Sequence, residues 1–256
     1  MRGLHWFNAL SAGATPVAGL PNSLKVADGL LGEHAVRFIA VVTDEHNRFP
    51  RARNGEVGLL EGWGLAKAVD EAIARGDKRP IIAIVDVPSQ AYGRREEALG
   101  IHQALAAAAD SYARARLAGH PVIGLLVGKA MSGAFLAHGY QANRLIALRD
   151  PGVMVHAMGK ASAARVTLRS VEELENLAAS VPPMAYDIDS YASLGLLWET
   201  LSVSQIEQPT PQDLACVSDC LVSAIKDIDT PDLSGRLGAT HRAASSYVRQ
   251  LLREQW

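Results

Sequence analysis

The stretch with the most chemistry in it is Gly128-Lys-Ala-Met-Ser-Gly-Ala-Phe135, where small residues join the end of an apolar run to the start of a helical pattern. At such a junction the first helical N–H groups have no acceptor within the helix and point outward, which suits an oxyanion or a carboxylate. Ser132, Gly133 and Ala134 leave room for a ligand to approach the backbone closely. A tight turn made small for packing alone is the competing reading. A phosphate-binding loop needs G-x-x-x-x-G-K-[ST], but Ile123 stands five before Gly128 and Ala130 follows Lys129, so that motif fails. A nucleophile elbow needs G-x-S-x-G, and Ala130-Met-Ser-Gly-Ala134 has small flanks without either glycine. A serine hydrolase, with Ser132 as nucleophile and His241 or His156 as base, stays open. The dinucleotide fingerprint at Gly62-Trp-Gly64 fails, because Lys67 takes the third glycine position and the segment reads as helix.

Elsewhere the eight histidines show no paired metal-ligand spacing, so no protein-bound metal is expected. His138 falls on a short apolar helix and reads as a hydrogen-bonded structural histidine; His156 follows a strand and could line a site. Arg48, Arg51 and Arg53 in one loop, and Arg94-Arg95 at a helix start, either hold a phosphate or an acidic partner or are solvated loop charges. Cys216 and Cys220 read as two small apolar core residues in a reducing compartment. Lys plus Arg number 25 against 27 Asp plus Glu, and the formal charge of −2 leaves no electrostatic footprint for nucleic acid. The 20% charged and 48% apolar shares exclude a disordered chain and suit one that covers part of its surface with a partner. No apolar run reaches the ~18 to 20 residues that span a bilayer, and no secretory signal is legible, so a soluble cytoplasmic protein is expected.

The elements that must position these groups follow a strand-turn-helix rhythm. Val36 to Val42 passes through a polar loop, Thr43 to Asn54, into a helix over about 56–75. Ile81 to Val85 passes through Asp86 to Gly93 into a long Ala-rich helix over about 94–117. Val122 to Val127 leads through Gly128 to Gly133 into a short helix ending near Gly139. Apolar at nearly every position, these runs read as strands covered on both faces. Short strands follow at 144–148 and 153–157. Helices are signalled by a capping box at Ser170-Val-Glu-Glu173 (171–179) and by Thr210-Pro-Gln-Asp213 (211–227), with a last helix over roughly 240–255. One α/β domain with a more helical C-terminal part is expected over 1–256, with 1–30 as an N-terminal extension and 205–256 as C-terminal helices.

Asp86-Val-Pro-Ser-Gln-Ala-Tyr-Gly93 after an apolar strand, Lys129-Ala-Met-Ser-Gly-Ala-Phe135 about forty residues on, and Val155-His-Ala-Met-Gly159 together resemble the carboxyltransferases of acyl-CoA carboxylases, in the crotonase superfamily. Within it, Ser89-Gln-Ala-Tyr-Gly-Arg-Arg-Glu-Glu-Ala-Leu-Gly100 is most similar to the gamma subunit of biotin-independent malonate decarboxylase. The likeness covers roughly residues 30 to 200. It implies a crotonase-like ββα superhelix paired with a homologous beta subunit, the active site lying at their interface. It also implies an acyl carrier protein subunit, whose phosphopantetheine-type arm carries the malonyl group, and an acyl carrier protein transferase subunit; no cofactor is bound directly. The backbone amides of Gly133 and Ala134 match the oxyanion hole, and the loop with Ser89, Gln90 and Gly93 matches the pocket wall. Met131, Ser132, Met158 and Gly159 fall in the matching motifs. Ser89 and Ser132 stand where carboxyltransferases usually have glycine, which disfavours a bulky biotin ring.

Decarboxylation moves negative charge from the carboxylate to the thioester oxygen, and only contacts that strengthen in the transition state accelerate it. The productive hole therefore faces the developing enolate oxygen. Whether Gly133 and Ala134 form that hole or orient the carboxylate, with the partner holding the enolate, stays open at this level. Tyr92, His156 or a water would protonate the carbanion. The alternatives are a biotin-dependent acyl-CoA carboxyltransferase subunit, a scaffold that only shapes its partner's site, and the Ser132 hydrolase.

Overall fold

The computed structural model describes residues 1–237 and 239–256. Among the described residues eight strands form one sheet: β1 (Thr15–Pro16), β2 (Leu24–Leu31), β3 (His34–Val41), β4 (Ile81–Val87), β5 (Val122–Met131), β6 (Arg144–Leu148), β7 (Met154–His156) and β8 (Glu199–Leu201). The order is β1-β2-β3-β4-β5-β6-β8, with β7 paired to the far end of β5. β1, β2 and β3 are antiparallel, and every pairing from β3 onward is parallel. The helices are α1 (Arg2–Leu10), α2 (Leu59–Ala74), α3 (Arg94–Ala98), α4 (Ile101–Leu117), α5 (Ser132–Ala137), α6 (Lys160–Val166), α7 (Val171–Ala178), α8 (Ile188–Ser193), α9 (Pro211–Lys226) and α10 (Ala243–Gln255). Helices pack on both sides of the central strands. That is why Ile81 to Val85 and Val122 to Val127 are apolar and buried without alternation.

The residues read as an N-terminal extension are built into this frame. β2 pairs with β3 along its whole length, and Trp6 of α1 is fully buried, its indole donating to Ile206 O at 2.8 Å. The helix expected over 94–117 is two helices. Gly100 adopts φ +83°, a left-handed conformation that ends α3 and starts α4. β5 runs four residues beyond the expected Val127, so the turn shrinks to Ser132 alone. Cys216 is exposed and Cys220 half-buried, so the expected pair of core cysteines is not there. The capped helices at 171 and 211 start where their capping boxes place them, with Ser170 and Thr210 accepting from the amides of Glu173 and Asp213.

Candidate active site

The site is built at the ends of β4 and β5. The Asp86 carboxylate accepts from Lys129 N at 3.1 Å and from Gly3 N at 3.0 Å, tying the end of β4 to β5 and to α1. A Cβ at Gly128 would stand 2.1 Å from Asp86 Oδ1, so only glycine lets that carboxylate lie across β5. The following loop is pinned by a bridge to Val57: Val57 N donates to Ser89 O at 3.1 Å and Ala91 N to Val57 O at 2.8 Å. Val57 is held in turn by a buried network, in which Glu61 accepts from Asn47, Ser23 and Gly58 N. The loop over Ser89 to Ala91 therefore rests on fixed supports.

At the end of β5, Ser132 takes φ +64°, a left-handed conformation that is costly for a residue with a Cβ. Its hydroxyl donates to Ala157 O at 2.8 Å, which fixes the turn against the strand-end segment after β7. The turn presents Gly133, whose amide donates to Gln90 Oε1 at 2.8 Å. A carboxamide oxygen thus occupies the place where a ligand oxygen is expected. Ala134 is fully buried behind it.

His156 pairs with Met131 in the β5–β7 register and its ring stacks on Tyr186 at 3.9 Å and 10°. Its Nδ1 lies 3.0 Å from Met158 O and 3.2 Å from Met158 N, and the Tyr186 hydroxyl donates to the same Met158 carbonyl at 2.8 Å. Burial pulls the imidazole below its ordinary pKa, with the Met158 contact opposing. Burial also raises the Tyr186 phenol, so near neutrality both rings are uncharged. Met131 is buried in a small cluster with Leu174 and Tyr186, against which Met158 packs.

Ser132, Gly133 and Gln90 are thus joined directly, and His156, Met158 and Gly159 lie along the segment that Ser132 grips. Ser89 turns inward on its own loop, its hydroxyl donating to Gln90 O at 3.0 Å. Tyr92 is 53% exposed, and among the described residues no hydrogen bond or ring contact joins it to His156. Ser132 has no imidazole partner among the described residues, so the nucleophile reading lacks its base. His138 is the structural histidine expected, between the Tyr112 hydroxyl (3.0 Å) and Ile84 O (3.0 Å). Three contributors escaped the sequence: Asp86, Glu61 and Tyr186. Asp86 sits inside a quoted motif, but nothing local marks its bonds to residues 43 and 83 positions away.

Residues 52–256 match the malonate decarboxylase gamma subunit family, MdcE. The chain belongs to that family. It is an enzyme subunit of the malonate decarboxylase type, with the crotonase-like, carboxyltransferase-like fold that its motifs resembled. It is 72% identical to a chain of a Pseudomonas malonate decarboxylase hetero-tetramer solved with coenzyme A, covering 100% of this chain and 99% of that one at a TM-score of 0.95. It is 68% identical to a chain of the Pseudomonas MdcD-MdcE hetero-dimer, again over 100% and 99%, at 0.91. A curated relative, the malonyl-S-ACP:biotin-protein carboxyltransferase MADD of Malonomonas rubra, is 33% identical over 209 residues, 78% of this chain and 68% of its own length.

Proposed function

We propose that this chain, paired with a homologous beta subunit, decarboxylates a malonyl thioester carried on an acyl carrier protein to the acetyl thioester and CO2. The observation that carries the site assignment is the left-handed turn at Ser132, which offers the Gly133 amide to an oxygen acceptor, with Gln90 Oε1 standing in at 2.8 Å. In the reaction the C–CO2 bond breaks and its electron pair passes to the α-carbon and thioester oxygen. The resulting enolate then takes one proton to give the acetyl group. The Gly133 amide, backed by the fully buried Ala134, stabilises one end of this charge shift, either the enolate oxygen or the departing carboxylate, and the partner chain supplies the other. The Ser89, Gln90 and Gly93 loop, Met131, Met158 and Gly159 wall the pocket.

The proton comes from Tyr92, His156 or a water. His156, held uncharged by burial, gives a proton only as a neutral imidazole or by relay from water. Malonyl groups reach the site on a phosphopantetheine-type arm, loaded by a transferase subunit. No cofactor is held by this chain, which acts as one crotonase-like domain in the cytoplasm. Among the described residues no helix is long and apolar enough to cross a membrane.

A second reading, a biotin-dependent carboxyltransferase subunit, is favoured by the likeness to the Malonomonas enzyme, whose name includes a biotin protein. One experiment separates them: CO2 release from malonyl-carrier protein by this chain alone, by its beta partner alone and by the two together, with and without avidin. Activity confined to the mixture and indifferent to avidin is expected. Dependence on a biotinylated acceptor would transfer the assignment to the carboxyltransferase.

A further inference from the structure

The segment that Ser132 grips carries a second set of bonds, and their direction can be read. Met158 N lies 3.2 Å and Met158 O 3.0 Å from the same ring nitrogen, Nδ1 of His156. In a neutral imidazole one nitrogen cannot serve both: bare, it accepts from the amide, and protonated, it donates to the carbonyl. The Tyr186 hydroxyl decides between them. It already donates to Met158 O at 2.8 Å, whereas Met158 N has no other acceptor among the described residues. A proton on Nδ1 would add a second donor to a carbonyl that has one and set two N–H groups against each other. A bare Nδ1 satisfies both Met158 groups, closing the i to i+2 turn from side chain to backbone that polar side chains favour. The network therefore assigns the proton of the neutral ring to Nε2.

Tyr186 is placed to hold this arrangement. Its carbonyl accepts from Val155 N at 3.0 Å and Asp187 bridges to Met154, so the residue is locked in register with β7. Its ring is buried and lies flat on the imidazole, at 3.9 Å and 10°, so the imidazole cannot turn over without leaving its neighbour. Lys160 Nζ, 5.5 Å from the Tyr186 ring centre, is paired with Glu175 at 2.6 Å, so the stack borders a neutral pair. His156 Nε2 has no partner among the described residues and is not one of the buried atoms left unsatisfied, so it is reachable from outside. The histidine pairs with Met131 across β5 and β7, one residue before the Ser132 turn.

We propose that Tyr186 is a positioning residue that fixes His156 as the Nε2–H tautomer, and that this N–H supplies the proton taken up by the α-carbon. The proposal rests on the decarboxylase reading and adds which of its three proton sources acts. The Nε2–H bond breaks as the enolate's electron pair forms the new C–H bond, and the imidazolate takes a proton back from water. The sum is malonyl thioester carboxylate plus water giving acetyl thioester, CO2 and hydroxide. A thioester enolate is basic enough to take a proton from an uncharged ring, and such a ring puts no charge into a half-buried site between turnovers.

The first test needs no substrate. Histidine-selective 15N labelling of this chain, assembled with unlabelled beta subunit, should show His156 with a bare Nδ1 and a protonated Nε2 near neutral pH, its signals identified by their loss in His156→Phe. In Tyr186→Phe the ring stack stays but Met158 O loses its donor, so a sizeable share of His156 should move to the Nδ1–H form. On malonyl-carrier protein, Tyr186→Phe is expected to lower kcat roughly tenfold with KM held within about twofold, the weight of one hydrogen bond in the tautomer balance. His156→Phe is expected to lower kcat by about 10²-fold or more, and adding Tyr186→Phe to it should cost nothing further. Nδ1–H in the wild type, an unchanged tautomer in Tyr186→Phe, turnover of His156→Phe near wild type, or an equal Tyr186→Phe loss in both backgrounds would each overturn the assignment. A wild-type complex that shows the Nε2–H ring but releases no CO2 would instead remove the decarboxylase reading underneath.

Discussion

A Cβ at Gly133 would stand in ordinary contact with Gln90 Oε1 at 3.4 Å and Leu105 Cδ1 at 3.6 Å, so the γ carbons of a branched side chain would crowd the Gln90 carboxamide and the space in front of the turn. Gly133→Val is therefore expected to lower kcat by about 10²- to 10³-fold, the usual cost of one oxyanion donor, while the complex still assembles. CO2 release alongside gel filtration checks both halves, and intact turnover would make the chain a scaffold for its partner. Ser132→Ala removes one hydrogen bond to Ala157 O but no nucleophile, so it should keep turnover within about tenfold and show no fluorophosphonate labelling in either form. Gln90→Ala frees the Gly133 amide for substrate. With a net hydrogen bond worth about 0.5–1.5 kcal/mol, KM should fall by roughly two- to tenfold. Small residues in a strand-to-helix turn single out Gly133 in the sequence. The Gln90 contact was not readable, because it spans 43 positions and depends on the Val57 bridge that sets the loop's height.

Between α4, α5 and β4, His138 donates from Nε2 to Ile84 O and, as a neutral ring, accepts at Nδ1 from the Tyr112 hydroxyl; the ring is wholly buried, and burial pushes its pKa down to about 4 from 6.5. A histidine depressed in the folded state binds fewer protons there than when unfolded, so stability rises with pH between those two values. The neutral ring's contribution is complete above about 6.5 and is lost as pH falls toward 4, up to about 3 kcal/mol. Thermal unfolding followed from about pH 7 to about pH 5 should show this decline, and His138→Gln, which does not titrate, should flatten it. Elements of this kind were legible where periodicity and caps agree: β3 to β6, α2, α7 and α9 fall close to their expected places. Two kinds of element escaped. The Ala-rich run at 94–117 has helical propensity throughout, and only the left-handed Gly100 shows that it breaks. The short β1 and β8 have no period of their own and exist because a neighbouring strand pairs with them, whereas β7 falls inside the strand expected at 153–157.

As a whole the molecule leaves apolar side chains facing outward in number: Leu30 at 71%, Val166 at 69%, Leu168 at 94% and Trp256 at 104% exposure, besides Trp63 and Leu136. Scattered apolar exposure is ordinary, but Val166 and Leu168 stand together at the end of α6, and Leu168 holds φ +54°. With a charged share of only 20%, this surface fits a chain that works beside a partner rather than alone. A partner that binds the folded chain and not the unfolded one stabilises it by mass action, by about 2.7 kcal/mol at a concentration of 100 Kd. For a domain of this size that corresponds to a rise of about 5–10 °C in Tm. Scanning the chain alone, the beta subunit alone and the equimolar pair should show this chain's transition moving upward only in the pair, and further as concentration rises. Transitions that superpose on those of the separate chains would mean that the two do not share an interface. The Gly133 amide would then have to stabilise the migrating charge unaided.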